Sequence, residues 1–191
     1  QHFLLVLTNH KAPNQRVLRV DPTNVAAIKN AKVVIGERSE NIEGITTAGG
    51  SLIVSYIKDV TSNVVQFDKT GRKIRDIKLP GIGSAGFTSG DRDDTHIYYS
   101  FTSYNYPSTQ LHFDLKSGKS TVFKAPVIKD FKPSDYAVEQ VFFKSKDGTK
   151  VPMFVVAKRG IKRDSNNPTL LYGYGGFNIP LTPGFSTMNL A

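Results

Sequence analysis

The sequence predicts a mainly β protein whose first two thirds consist of blades of a β-propeller. Three similar strand-like segments each end in an aspartate that opens a turn, at Asp21, Asp68 and Asp114. These aspartates are separated by 47 and 46 residues. A repeat of about 40–50 residues that contains four short strands is typical of a propeller blade. The aspartate suits the start of each turn because its side chain can accept a hydrogen bond from the backbone two residues on.

The remaining strands of each unit are rich in β-branched and aromatic residues, as strands usually are. The predicted strands, in chain order, span residues 3–7, 17–21, 31–35, 44–47, 52–57, 63–68, 73–79, 85–89, 96–101, 110–114 and 120–123. Residues 1–126 are therefore predicted to form two blades and most of a third. A β-sandwich is the alternative, but a turn that recurs at a fixed period fits it less well.

Three blades are too few for a closed propeller, which needs about four to eight. An incomplete ring leaves sheet edges open. The chain also begins without methionine. We therefore expect that it is a piece of a longer polypeptide, or that other chains complete the ring.

Composition argues against several classes of protein. No stretch approaches the roughly 20 apolar residues that span a bilayer, so no membrane association is expected. The net charge of +9 suggests nucleic acid, yet the densest cationic cluster, residues 158–163, lies in a predicted loop without a nucleic-acid-binding motif. Because the chain has no cysteine, disulfides, zinc–thiolate sites and a cysteine nucleophile are excluded.

Three local patterns resemble ligand sites without the context that such sites need. Residues 81–86 match G-x-G-x-x-G, but Pro80 precedes them and no helical pattern follows, so we predict a connection between blades. Residues 91–94 lack the glycine and glutamate of a calcium-binding EF-hand loop. The four histidines (His2, His10, His96 and His112) are expected to be isolated. No metal and no cofactor are predicted.

Beyond residue 126 the pattern changes. We predict, in order, a crossover at 127–134, antiparallel strands at 139–143 and 150–157 joined by an Asp-Gly turn at 146–149, a polar loop at 158–167, and a strand at 169–172.

The last predicted strand runs into a glycine-rich loop, LLYGYGGFN at residues 170–178. Glycine permits backbone angles that other residues avoid, and Tyr174 supplies a phenolic donor between two glycines. A strand followed by such a loop resembles the oxyanion-side loop of α/β-hydrolases. A tight turn packed by two tyrosines is the alternative.

The amino-acid string at residues 170–178 is more specific than the spacing of its glycines alone. Residues 171–178, followed by Ile179, Thr182 and Pro183, resemble the early catalytic-domain motif of the prolyl oligopeptidase family. Residues 134–136, 140–143 and 145–154 resemble the segment in which that family passes from its propeller to its hydrolase domain. The similarity extends over essentially the whole chain and is strongest from Ser134 onward.

This resemblance implies a domain organisation and two site residues. Residues 1–130 would be the C-terminal blades of a seven-bladed propeller, and residues 131–191 the N-terminal part of an α/β-hydrolase catalytic domain. Tyr174 would donate its hydroxyl to the oxyanion, and Phe177 would line the proline-binding pocket. The chain departs from the family at Pro180 and at residues 183–185, which leaves the path of the following loop open.

A serine hydrolase of this type needs a nucleophile in a G-x-S-x-G turn, and no serine of the 191 residues has that context. The family's serine, aspartate and histidine follow the glycine-rich motif, so this chain alone is predicted to be inactive. The intact protein is predicted to be a serine-type prolyl endopeptidase that hydrolyses short peptides on the carboxyl side of proline.

The predicted partners are short proline-containing peptides and the remainder of the same polypeptide, with neither nucleic acid nor membrane. The expected compartment is the cytoplasm, with the periplasm as the alternative. Two other functions stay open: a related oligopeptidase with another specificity, for example for basic residues, and a non-enzymatic propeller module used for binding.

Overall fold

Antiparallel β-sheets form most of the regular structure in the computed structural model, which describes residues 3–177 and 179–190. Gln1, His2, Asn178 and Ala191 lie outside the described residues. The strands are β1 (Leu4–Thr8), β2 (Arg16–Val20), β3 (Lys32–Ile35), β4 (Asn41–Ala48), β5 (Ser51–Lys58), β6 (Thr61–Asp68), β7 (Lys73–Ile77), β8 (Ser84–Phe87), β9 (His96–Ser103), β10 (Tyr106–Asp114), β11 (Ser120–Lys124), β12 (Tyr136–Lys144) and β13 (Lys150–Lys158). Short 3₁₀ helices cover Val25–Asn30, Pro133–Asp135 and Thr187–Asn189. No helix within the described ranges is long and apolar enough to cross a membrane.

The strands group into blades in chain order. Blade A contains β1–β3, blade B contains β4–β7 and blade C contains β8–β11, with each strand paired to the next one along the chain. The predicted arrangement of two blades and most of a third is confirmed by this topology. The residues that match G-x-G-x-x-G connect blade B to blade C as predicted: residues 81–83 lie between β7 and β8, and residues 84–86 lie in β8.

The aspartate turns have the predicted chemistry. The Oδ1 atoms of Asp21, Asp68 and Asp114 each accept a hydrogen bond from the backbone N–H two residues on, at 2.9, 2.8 and 3.0 Å. Each aspartate also has a lowered pKa, because hydrogen bonds stabilise its charged form, the largest contributions coming from the Thr23 hydroxyl at Asp21, the Thr70 hydroxyl at Asp68 and the Ser117 backbone at Asp114. The three turns therefore share the same hydrogen bond from the backbone to the aspartate side chain.

Blade B is buried on both faces, and its sequence explains why. The run Leu52-Ile53-Val54 in β5 is apolar without alternation, as expected for a strand covered on both sides. Leu52 and Val54 pack in one core with blade A, whereas Ile53 packs in a second core with blade C. In contrast, β9 of blade C alternates: Ile97, Tyr99 and Phe101 are buried against blade B.

Hydrogen bonds link blades B and C along the seam between them, at the end of the blades that carries the aspartate turns. Gln66 is 1% exposed, and its Nε2 atom donates to Leu115 O at 3.0 Å and to Ser51 Oγ at 3.1 Å. Arg75 Nη2 donates to Lys116 O at 2.9 Å. The backbone of Gly49 donates to Asp91 O at 2.9 Å. These bonds fix how the two blades sit against each other.

Gly49→Ala should destabilise this seam strongly. Gly49 has φ +53°, and a Cβ atom there would collide with the Asp94 carbonyl oxygen and lie 2.6 Å from Leu115 Cδ1. The unfavourable φ costs about 1–2 kcal/mol, and overpacking costs about 1–3 kcal/mol more. Gly50→Ala is the matched control, because Gly50 has φ +70° but no atom within 4 Å of the position that its Cβ would occupy. Thermal unfolding should show the larger loss at Gly49, and equal losses would refute the collision.

Unfolding temperatures measured over a range of pH should isolate the contribution of the Asp68 turn to stability. The Thr70 hydroxyl and backbone, together with Arg72, lower the pKa of Asp68 in the folded protein. A depressed folded pKa stabilises the fold above the unfolded pKa of about 3.9, and this contribution is lost as pH falls from there toward the folded pKa. Wild type should therefore unfold at a higher temperature than Asp68→Asn above pH 5, and the difference should shrink below pH 4. The exposed Asp93→Asn controls for loss of charge alone. A difference that stays constant from pH 2 to 6 would contradict this.

The predicted hairpin after the blades is confirmed. Strands β12 and β13 pair in register from Tyr136 opposite Lys158 to Lys144 opposite Lys150. Gly148 has φ +85° in the turn, and Asp147 accepts a hydrogen bond from the Thr149 backbone at 2.9 Å. The Ser145 hydroxyl and the Thr149 backbone lower the Asp147 pKa to about 2. The turn thus accounts for Asp147 without a catalytic role.

Two sequence expectations are wrong. Residues 169–172 do not form a strand, and Leu170 and Leu171 are each 83% exposed. A strand needs a neighbour to pair its backbone groups, and no strand of the described residues lies beside this segment. The histidines are not all isolated either, because cross-strand pairing places the His96 and His112 rings 4.5 Å apart.

Candidate functional site

The glycine-rich loop carries the two site residues that the sequence predicts. Tyr174 is 51% exposed and Phe177 is 90% exposed. Gly175 has φ +66° and Phe177 has φ +52°. A bulky residue at positive φ is unusual. The backbone N–H of Ile179 closes a turn on Gly176 O at 3.1 Å.

The structure places Tyr174 and Phe177 in one loop, but it does not enclose them in a cleft. The edge of the Tyr174 ring lies 3.5 Å from the position that a Cβ atom on Gly176 would occupy. A side chain at Gly176 would therefore rest against the ring. Tyr172 is also mostly exposed, so it does not pack as a core tyrosine. Asn178, the last residue of the motif, lies outside the described residues.

The chain after this loop returns to blade C. Pro183 is fully buried, and its carbonyl oxygen accepts a hydrogen bond from Ser84 Oγ at 2.8 Å. The Phe185 backbone N–H donates to Thr102 Oγ1 at 3.2 Å. Ser84 and Thr102 are direct partners across β8 and β9. Nothing local in the sequence indicates these contacts, since 99 and 83 residues separate the bonded pairs.

The β12–β13 hairpin contacts the same end of the blades. Gln140 Nε2 donates to Asp59 O, in the β5–β6 turn, at 2.5 Å. Asn105 Nδ2, in the β9–β10 turn, donates to the carbonyl oxygens of Pro133 and Tyr136 at 3.3 and 3.2 Å. This end lies opposite the aspartate turns. The blades therefore present one end to the hairpin and to the returning segment at 183–185, and they carry their repeated turns at the other end.

Aromatic contacts fill the region between the hairpin, the blades and the returning chain. The Phe131 ring lies 5.5 Å from the Tyr136 ring and 5.1 Å from the Phe185 ring. Tyr104, beside the β9–β10 turn, packs on Phe154 of β13 with ring centroids 5.3 Å apart. Burial raises the pKa of the Tyr104 hydroxyl. These rings give the contact an apolar centre.

The glycine-rich loop offers a hydrogen-bond donor and an apolar surface. Tyr174 can donate a hydrogen bond from its hydroxyl, and Phe177 offers a flat apolar ring. Within residues 3–177 and 179–190, no three His, Asp or Glu side chains are grouped to hold a metal ion. The two side chains are a hydrogen-bond donor and an apolar surface, both open to solvent.

Sequential antiparallel strands in successive sheets, packed face to face, define this chain as part of a β-propeller protein. Comparison with known families supports the same conclusion: residues 1–126 match the family described as "Prolyl oligopeptidase, N-terminal beta-propeller domain". The chain belongs to the prolyl oligopeptidase family.

Similar proteins extend the match beyond the propeller. The chain is 45% identical over 186 residues to a prolyl endopeptidase of Elizabethkingia miricola, covering 97% of the chain and 26% of the relative. It is 37% identical over 194 residues to a prolyl endopeptidase of Dictyostelium discoideum, covering 96% of the chain and 25% of that relative. The chain thus spans about a quarter of the length of these relatives.

Solved structures share the fold. One structure, from a structural and mechanistic analysis of two prolyl endopeptidases, superposes with a TM-score of 0.84 at 41% identity, covering 97% of this chain and 27% of that one. The apo structure of prolyl oligopeptidase B from Galerina marginata superposes with a TM-score of 0.81 at 24% identity, covering 97% of this chain and 27% of that one.

Proposed function

We propose that this chain is part of a serine-type prolyl endopeptidase, which hydrolyses short peptides on the carboxyl side of proline. The similarity to prolyl endopeptidases over 97% of the chain is the observation that carries this proposal. The open set of three blades supports a longer polypeptide, since a propeller closes with about four to eight.

The proposed organisation assigns residues 1–130 to the C-terminal blades of the propeller and residues 131–191 to the start of an α/β-hydrolase domain. The β12–β13 hairpin and the glycine-rich loop would be the first elements of that domain. The hairpin and the segment that follows the glycine-rich loop contact the same end of the blades, which supports this division.

Tyr174 is proposed to act in the transition state. When a serine hydroxyl attacks the peptide carbonyl, the carbonyl oxygen becomes an oxyanion, and a base takes the serine proton. A preorganised phenolic donor stabilises that charge as it appears. The tetrahedral intermediate then collapses to an acyl-enzyme, the amine leaves with the proton, and water hydrolyses the ester.

Phe177 is proposed to bind the proline residue on the amino side of the cleaved bond. The pyrrolidine ring is compact and apolar, and within a peptide its nitrogen carries no hydrogen to donate. A flat aromatic ring is a suitable wall for such a group. Both side chains lie in a loop that reaches solvent, so a substrate can contact them once the rest of the domain surrounds it.

The proposed partners of the chain are short proline-containing peptides and the remainder of the same polypeptide. We place the protein in the cytoplasm, with the periplasm as the alternative, and assign it neither nucleic acid nor membrane.

Covalent labelling tests the proposed enzyme class. The full-length polypeptide that contains residues 1–191 should react with a serine-directed fluorophosphonate, and an excess of a short proline-containing peptide should slow the reaction. Heat-denatured protein is the control for non-specific labelling. A full-length protein that folds but is not labelled would leave the chain as a binding module and would refute the proposal.

A further inference from the structure

Two hydroxyl groups of blade C hold the segment that follows the glycine-rich loop. Ser84 begins β8, and Thr102 lies opposite it on β9. Ser84 Oγ donates to the carbonyl oxygen of Pro183, and Thr102 Oγ1 accepts from the N–H of Phe185. Both contacts are with the backbone of the segment, at alternate residues, so they fix the path of the chain without depending on its side chains.

The contact is buried and well packed. Pro183 is among the least exposed residues of the described chain, and it has no N–H that burial could leave unsatisfied. Phe185 packs edge-on against Phe131, with ring centroids 5.1 Å apart. Thr102 Oγ1 also donates to Tyr106 O at 3.1 Å, so its hydroxyl has a donor role inside blade C and an acceptor role toward Phe185. The orientation of this hydroxyl is thereby determined.

The anchored segment lies close to the candidate site along the chain. From Phe177 to Pro183 there are six residue steps, which span at most about 20 Å when fully extended. Gly173, Gly175 and Gly176 give the loop little conformational restraint of its own. An oxyanion donor is effective only when it is held in place before the reaction, and a misplacement of about 1 Å can cost about 100-fold in rate. The loop therefore needs restraint from outside.

We propose that Ser84 and Thr102 are positioning residues, through which the propeller restrains the loop that carries Tyr174 and Phe177. This inference rests on the proposed function, because it assigns the restraint a role in that reaction. The hydroxyl pair acts through the backbone of residues 183–185, and it touches neither the substrate nor the reacting atoms. The propeller thus contributes to the geometry of the candidate site through these two hydroxyl groups.

Substitution of the two hydroxyls in the full-length polypeptide tests the proposal. Ser84→Ala and Thr102→Val each remove one hydrogen bond to the segment, which is worth about a fivefold change in a local equilibrium. We expect each variant to lower kcat about three- to tenfold on a proline-containing reporter, with KM changed less than twofold. Amide exchange at Phe185 should become about fivefold faster in Thr102→Val. Thr102→Ser keeps the hydroxyl and should restore both kcat and the exchange rate at Phe185 to those of wild type.

Matched controls come from the same strand pair. Ser100 lies two residues before Thr102 on β9, and its hydroxyl contacts Gly86 O at 3.4 Å. Thr88 Oγ1 donates to Tyr98 O at 2.9 Å. Neither contact involves the returning segment, so Ser100→Ala and Thr88→Val should leave kcat and the Phe185 exchange rate unchanged. Equal effects from these controls would assign the loss to blade stability and overturn the proposal.

The outcomes separate this inference from the proposed function. Faster exchange at Phe185 with unchanged kcat would overturn the positioning role while leaving the enzyme assignment intact. A full-length protein that is not labelled by fluorophosphonate would refute the enzyme assignment independently of Ser84 and Thr102. If Thr102→Val fails to fold, Ser84→Ala still tests the proposal, because removing its hydroxyl does not disturb the Thr102–Tyr106 bond.

Discussion

Replacing Tyr174 with phenylalanine in the full-length polypeptide is expected to lower kcat by roughly 10- to 1,000-fold, or about 1.4–4 kcal/mol of transition-state stabilisation. The substitution keeps the ring and removes only the hydroxyl. Because an oxyanion exists only in the transition state, KM should change much less than kcat. The measurement is steady-state kinetics on a proline-containing reporter peptide.

Tyr172 provides the matched control, since it lies two residues earlier in the same loop and is also exposed. Tyr172→Phe should leave kcat within about twofold of wild type, because no transition-state role is assigned to its hydroxyl. Small and equal effects of the two substitutions on kcat would indicate that Tyr174 has no role in the transition state and only packs within the loop. The chain would then hold no assigned catalytic residue.

Residues 1–191 expressed alone should not cleave a proline-containing reporter at any measurable rate. The segment has a proposed oxyanion donor and part of a proposed pocket, but no serine in a G-x-S-x-G context. In a serine protease, loss of the nucleophile alone lowers kcat by about 10⁶-fold. A donor without a nucleophile therefore leaves no useful activity.

The full-length polypeptide, assayed in parallel, shows whether the reporter is a substrate. Fluorophosphonate labelling should follow activity, with label on the full-length protein and none on residues 1–191. Cleavage together with labelling of the short chain would show that one of its own serines is the nucleophile. That result would contradict the proposed division of the site between this chain and later residues.

The blades were predictable from the sequence because their signals are local. An aspartate at each strand end explains its own turn through a hydrogen bond two residues away, and the structure confirms this at Asp21, Asp68 and Asp114. The alternating pattern of β9 likewise identifies its buried face, with Tyr99 and Phe101 directed at blade B. Such features need no knowledge of the rest of the chain.

The parts that could not be predicted depend on distant residues. Leu170 and Leu171 look like a buried strand, but an apolar pair forms a strand only where a neighbouring strand accepts its backbone hydrogen bonds. His96 and His112 are 16 residues apart in sequence, and only the register of β9 against β10 brings their rings together. No sequence pattern around Ser84 or Thr102 indicates their contacts with Pro183 and Phe185, which follow much later in the chain.

The sequence named the residues of the candidate site but not the contacts around them. The resemblance of the glycine-rich string to a known motif led to the prediction of Tyr174 and Phe177, and the structure places both in one loop without regular secondary structure. Their roles stay predictions, since those roles depend on groups outside residues 3–177 and 179–190. The contact between the returning segment and blade C came from the structure alone.

Substrate preference of the full-length polypeptide tests the central claim most directly. Reporter peptides that are identical except for proline, alanine or arginine before the cleaved bond would be compared by kcat/KM. The proposed pocket wall at Phe177 favours the compact apolar ring of proline, so the proline reporter should be cleaved at least about tenfold faster than the others. Preferred cleavage after arginine would identify an oligopeptidase for basic residues instead, and cleavage of none of the three would contradict the proposed enzyme.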